Sequence, residues 1–229
     1  MINAIMNFAK RALLIQALIN RPEEHNIRLD ELQNESAKLA NKQDWLWHLL
    51  LSSMSTMGNS RGYQGLVLNE QNYSLVSYNN LLIVDKDTRL LNLQVGLSKA
   101  KVRNYNRKAI WLNSNFNFIQ DCGGLTVIQN LLLQTHGRES KLRIMKIFEG
   151  IGNKYARNIF MDMNHPDFLD SIAIDYRLMD ISKELEIPDM SYIDHENIFS
   201  QIANEAGLMC WQLDRLLYNY KDYYLNAII

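Results

Sequence analysis

Phe148-Glu149-Gly150-Ile151-Gly152-Asn153-Lys154-Tyr155-Ala156 decides how the rest of the chain is read. A basic, amphipathic run over 140–147 leads into it, and a second helical run over 154–163 leads out. Two glycines around one apolar residue predict a tight hairpin between two helices. Glycine tolerates positive φ and lets another backbone or a phosphate come close. The N–H groups that open the second helix then form a small anion site. The pattern is not a dinucleotide fingerprint, because no third Gly follows and no strand precedes it. It is not a P-loop either, because the spacing differs and no Ser or Thr follows Lys154. Taken alone, a Gly-Ile-Gly pair arises by chance and reads as a plain tight turn.

The charge distribution bears on which of these holds. The 229 residues carry a net charge of −1, with 47% hydrophobic and 21% charged residues and only three prolines. That composition supports a proper core and little disorder. The segment 98–158 contains 11 Lys/Arg against three acids, and the remainder 13 against 22. The hairpin therefore sits in the basic part of a chain that is acidic elsewhere. A local positive face is what phosphate contact requires, whatever the total charge.

Further outward, periodicity predicts helices over 2–19, 29–41 and 46–57, the last a dense apolar run ending at Gly58-Asn59-Ser60. The N-terminal run is broken by Lys10 and Arg11 and reads as an amphipathic helix rather than a signal peptide. Short helices are expected over 73–83 and 87–97, with 66–68 and 81–84 as alternative short strands. A basic helix is expected over 98–112, then a turn over 113–117, a Gly123-Gly124 turn and a helix over 125–134. Pro166 stops the helix after the hairpin. Helices beginning near Asp175 and spanning 196–205 and 208–224 complete the chain. No apolar run is long enough for a membrane span. Cys122 and Cys210 suit a reduced compartment and cannot form a four-Cys cluster. The five His residues are scattered, so no metal is assigned, and no serine has a visible base partner.

With three more stretches, the hairpin resembles the helix-hairpin-helix DNA glycosylase/AP lyase superfamily of endonuclease III, in its form without an iron–sulfur cluster. Leu50-Leu51-Ser52-Ser53-Met54-Ser55-Thr56 is similar to the family's L-L-S-x-Q-x-T, with Met54 in place of the Gln. Lys99-Ala100-Lys101-Val102 stands where the family has K-A-K-x-I. Ile174-Asp175-Tyr176-Arg177 resembles V-D-T-H, with Tyr-Arg in place of Thr-His. Lys154 and Asp175 are 21 residues apart, a few more than the family's usual spacing.

The resemblance implies an all-α, two-lobed fold. A helical barrel lobe over 44–165 would carry the hairpin, and 1–43 with 166–229 would form a second helical lobe. It implies a base-excision-repair glycosylase with AP lyase activity that flips a damaged base out of the duplex. Lys154 would be the nucleophile that attacks the sugar and forms a Schiff base. Asp175 would stabilise the cationic sugar and move protons. Gly150, Ile151, Gly152 and Asn153 would grip the DNA backbone. Arg61, with Asn59 and Ser60, would add loop contacts, and Met54 would act as an apolar wedge. The implied partner is double-stranded DNA with a damaged base or an abasic site, bound by a monomer without cofactor, metal or membrane. The implied location is the cytoplasm, at the nucleoid, or the nucleus. The alternative is a helix-hairpin-helix DNA-binding protein without catalysis.

Overall fold

A computed structural model describes residues 7–58 and 61–229. Among them lie fifteen α-helices, one 3-10 turn and no strand. In chain order the helices are α1 (Phe8–Ile19), α2 (Glu23–Ala40), α3 (Trp45–Thr56), α4 (Arg61–Leu66), α5 (Glu70–Val76), α6 (Tyr78–Leu82), α7 (Lys86–Lys99), α8 (Tyr105–Asp121), α9 (Leu125–Gln134), α10 (Arg138–Met145), α11 (Asn153–Asp162), α12 (Tyr176–Glu184), α13 (Tyr192–Glu205), α14 (Cys210–Asn219) and α15 (Lys221–Asn226). The 3-10 turn, Pro166–Phe168, follows α11. The chain divides into two compact units. Ala40–Ile159 is one; the described residues up to Leu39 form the other with Phe160–Ile229.

In the 40–159 unit the dense apolar run becomes α3, buried on nearly every side through Trp45, Leu46, Trp47, Leu49, Leu50 and Leu51. Each such side chain removed from water contributes roughly 1.5–3 kcal/mol. Trp47 Nε1 donates to the Val76 carbonyl at 2.8 Å, and its ring meets Phe116 of α8 edge-on at 5.7 Å. Tyr78 packs on Phe116, and its hydroxyl accepts the Leu125 N–H that opens α9. One aromatic cluster thus joins α3, α6, α8 and α9. Arg89 of α7 lies over Phe116 at 4.3 Å and donates to Asn113 Oδ1 at 3.0 Å, locking α7 to α8.

At α7 and α8 the structure departs from expectation, for identifiable reasons. The basic helix over 98–112 is really the end of α7 and the start of α8, separated by a break. Val102 N–H bonds to the Leu97 carbonyl and Lys101 N–H to that of Ser98, a Schellman ending. Lys101 takes the left-handed position (φ 57°) that glycine usually fills, so no turn residue marks the break. Nor is 113–117 a turn; it runs through the middle of α8. Asn113 and Asn115 are turn-like in sequence but are buried here as hydrogen-bonding groups.

The other unit starts with α1, capped by the Asn7 side chain on Lys10 N–H. Asn7 N–H also reaches the Leu185 carbonyl at the end of α12. The helix expected over 29–41 starts earlier, as α2, at Glu23, directly after Pro22. His25 of α2 is buried against α15, with Nδ1 2.8 Å from the Tyr224 hydroxyl. The expected single C-terminal helix is split at Tyr220 (φ −125°), whose ring stacks on His25 at 3.6 Å. No helix among the described residues is long and apolar enough to cross a membrane.

Candidate functional site

The hairpin forms as its glycines require. After α10, the Phe148 N–H bonds to the Met145 carbonyl and the Ile151 N–H to that of Phe148. Gly150 turns the chain with φ +81°. A Cβ there would stand 2.6 Å from Met54 Cε and 2.7 Å from Trp111 Cε3, so the protein itself demands glycine at 150. Gly152 is different: its φ is ordinary, and a Cβ would meet nothing within 4 Å. Gly150 is needed by packing, whereas Gly152 leaves an open approach to the first turn of α11. Between them Ile151 is buried and anchors the turn in the core.

Asn115 of α8 holds the hairpin from beneath. Its Oδ1 accepts the Glu149 N–H at 2.7 Å, and its Nδ2 donates to the Glu149 carbonyl at 3.1 Å. The buried side-chain amide of Asn115 thereby satisfies both polar groups of one residue's backbone. Sequence reasoning missed Asn115, although a polar residue between apolar ones at helical spacing was a usable signal.

The Gly152 carbonyl accepts the Ala156 N–H and closes the first turn of α11. The N–H groups opening a helix have no intrahelical partner and carry the positive end of its dipole. Asn153 and Lys154 occupy this turn. Lys154 is half-buried, with Nζ 5.0 Å from the centre of the Tyr155 ring.

Met54 requires a correction. It is fully buried, and its terminal methyl lies beneath Gly150, so it supports the hairpin rather than wedging into a duplex. Arg61 is exposed at the first position of α4. Asn59 and Ser60 lie outside the described residues.

Beside the hairpin, the end of α3 and the start of α8 enclose a cavity of about 260 Å³ lined by Arg103, Arg107, Lys108 and Trp111 together with Met57 and Gly58. Arg107 lies over the Trp111 ring at 4.6 Å. Lys108 is buried and donates to the Met57 carbonyl at 2.7 Å. Burial, aided by the charge of Arg103, pulls its pKa down to about 8. The basic face read from the sequence is thus partly assembled around Trp111, the residue that also packs under Gly150.

Asp175 belongs to the other unit. It is the N-cap of α12, with Oδ1 accepting the N–H groups of Arg177 at 2.8 Å and Leu178 at 3.3 Å. Its Oδ2 faces Arg177 Nη1 at 3.2 Å. Arg177 lies over the Tyr218 ring at 4.1 Å, so the Tyr-Arg pair that departs from the family pattern supplies this carboxylate with a fixed cation. No group of three or more His, Cys, Asp or Glu among the described residues is arranged to hold a metal ion.

No protein-family model matches the chain, and no curated protein does. Solved structures of Methanocaldococcus jannaschii 8-oxoguanine glycosylase do. A complex of the glycosylase/lyase with a 15mer DNA containing 8-oxoguanine aligns with a TM-score of 0.68 and 17% identity, covering 90% of this chain and 95% of the other. A second structure, of the 8-oxoguanine DNA glycosylase, aligns with a TM-score of 0.68 and 18% identity over 91% and 93%. The chain has their fold. The all-helical glycosylase-type architecture expected from the hairpin is the one observed, and at this identity the likeness extends to the fold alone.

Proposed function

We propose that this protein is a base-excision-repair DNA glycosylase with AP lyase activity. The observation that carries the reading is the place of Lys154, in the first turn of the helix launched by the Gly150-Ile151-Gly152 hairpin. The open approach at Gly152 and the N–H groups behind it suit a phosphate. The basic cavity around Trp111 suits the adjoining backbone. Asn153 and Arg61 would add polar contacts, and the partner is damaged double-stranded DNA bound by a monomer.

In the reaction, the deprotonated Lys154 amine attacks the sugar C1′. The bond from C1′ to the base breaks, and its electron pair leaves with the base, which takes up a proton. Opening of the sugar ring gives a Schiff base and a hydroxyl at C4′. Loss of a proton from C2′ then expels the 3′ phosphate by β-elimination, and water releases the enzyme. Asp175 would balance the positive charge that grows on the sugar and carry the transferred protons.

The archaeal proteins of the same fold make 8-oxoguanine the first lesion to test. A duplex with one 8-oxoguanine should be nicked at that base, and Lys154→Gln should lose at least about 1,000-fold in rate. Duplex binding that survives without any nicking, in the wild type as in the variant, would leave a monofunctional glycosylase or a helix-hairpin-helix binding protein without catalysis.

A further inference from the structure

Asp175 stands at the end of an extended segment, 171–175, that belongs to no helix and pairs with no strand. Its backbone N–H groups are taken up one after another by side chains from helices that come later in the chain. Glu196 Oε1 accepts the Ile172 N–H at 3.2 Å. Asp214 Oδ1 accepts the Ala173 N–H at 2.8 Å. The Tyr192 hydroxyl accepts the Ile174 N–H at 2.9 Å and donates to the Ile172 carbonyl at 3.1 Å. The next residue is Asp175, whose own carboxylate caps α12.

Two of these three acceptors are buried carboxylates, an expensive choice. Asp214 is 2% exposed, and burial pushes its carboxyl up to about 6. Arg215 Nη1 at 2.8 Å and the Ala173 N–H pull it down, while the charges of Asp175 and Asp162 raise it further. Arg215 is itself held at its other end by Asp162 at 2.7 Å. Neutral acceptors could satisfy three amides. Charged acceptors make shorter bonds, roughly twice as strong, and fix the segment more tightly.

We propose that Tyr192, Glu196 and Asp214 are positioning residues for Asp175, holding the backbone that carries it in the geometry the reaction needs. The inference rests on the proposed role of Asp175. Placement errors near 1 Å at a reacting group cost about 100-fold in rate. Loss of one of these bonds should therefore be read in turnover before it is read in binding.

The test is single-turnover nicking of a duplex with one abasic site, at saturating protein, with duplex affinity and thermal midpoint measured alongside. Tyr192→Phe and Asp214→Ala should slow nicking by roughly 10–100-fold with affinity changed less than about threefold. Asp214→Asn keeps an oxygen for the Ala173 N–H but not the charge, and should recover part of the rate. Tyr192→Phe is a small enough change to keep the fold should Asp214→Ala lose it. A folded Tyr192→Phe that nicks at the wild-type rate would overturn the proposal, as would Asp214→Asn being as slow as Asp214→Ala. Wild-type nicking by Lys154→Gln and Asp175→Asn is a different pattern and would overturn the glycosylase reading itself.

Discussion

The hairpin at 150–154 and the segment at 171–175 carry the two proposed catalytic side chains, and they are built in opposite ways. The hairpin is made by its own residues: two glycines, one buried isoleucine and the helix that follows. From outside, Asn115 bonds to its backbone 34 residues away, and Met54 and Trp111 pack beneath Gly150. The segment before Asp175 is held almost wholly by side chains 18, 24 and 41 residues further on. A locally specified turn tolerates change elsewhere in the fold. A segment held from outside moves whenever its holders move, and its proposed catalytic group is correspondingly easier to disable from a distance.

The two glycines sharpen that comparison most. Gly150→Ala meets both an unfavourable φ and the Trp111 ring, and should destabilise the fold by about 3 kcal/mol. Gly152→Ala meets nothing and should change stability by less than about 0.5 kcal/mol, yet weaken duplex binding about tenfold by filling the approach to the helix N-terminus. Thermal unfolding and duplex titration of both variants check this. Equal effects on stability would break the distinction between a glycine the protein needs and one its ligand needs.

A smaller effect probes the second region through pH. The Asp214 carboxyl is raised from 3.8 to about 6 in the folded protein. Between those values the folded state keeps a proton that the unfolded chain has lost. This group therefore costs nothing below pH 4, and stability falls as pH rises through about 6, by at most about 3 kcal/mol. Asp214→Asn removes that dependence. The gap between its thermal midpoint and that of the wild type should shift in favour of the variant from pH 4 to pH 7, and a gap independent of pH would contradict the burial argument.

Legibility in the sequence followed the same division. The hairpin could be read because glycine spacing, helical periodicity and Lys154 lie within one short stretch. The helix over 125–134 could be read because Gly123-Gly124 marks its start and its apolar residues repeat regularly. The break after α7 could not, because Lys101 adopts a glycine-like conformation without being glycine. The middle of α8 reads as a turn in sequence because its asparagines serve partners that only the fold brings near. Met54 was read as a wedge because its neighbours in the motif matched, whereas its packing under Gly150 depends on a contact across nearly a hundred residues. The Asp175 cap was visible as Asp ahead of a helix, but its holders are ordinary Tyr, Glu and Asp residues within other helices.

The most direct measurement is borohydride trapping on a duplex with an abasic site, wild type beside Lys154→Gln. Reduction freezes any Schiff base between protein and sugar. The account predicts a covalent protein–DNA adduct from the wild type and none from Lys154→Gln, with both proteins still binding the duplex. An adduct that persists undiminished in Lys154→Gln, or a wild type that binds the duplex and forms no adduct, would contradict it.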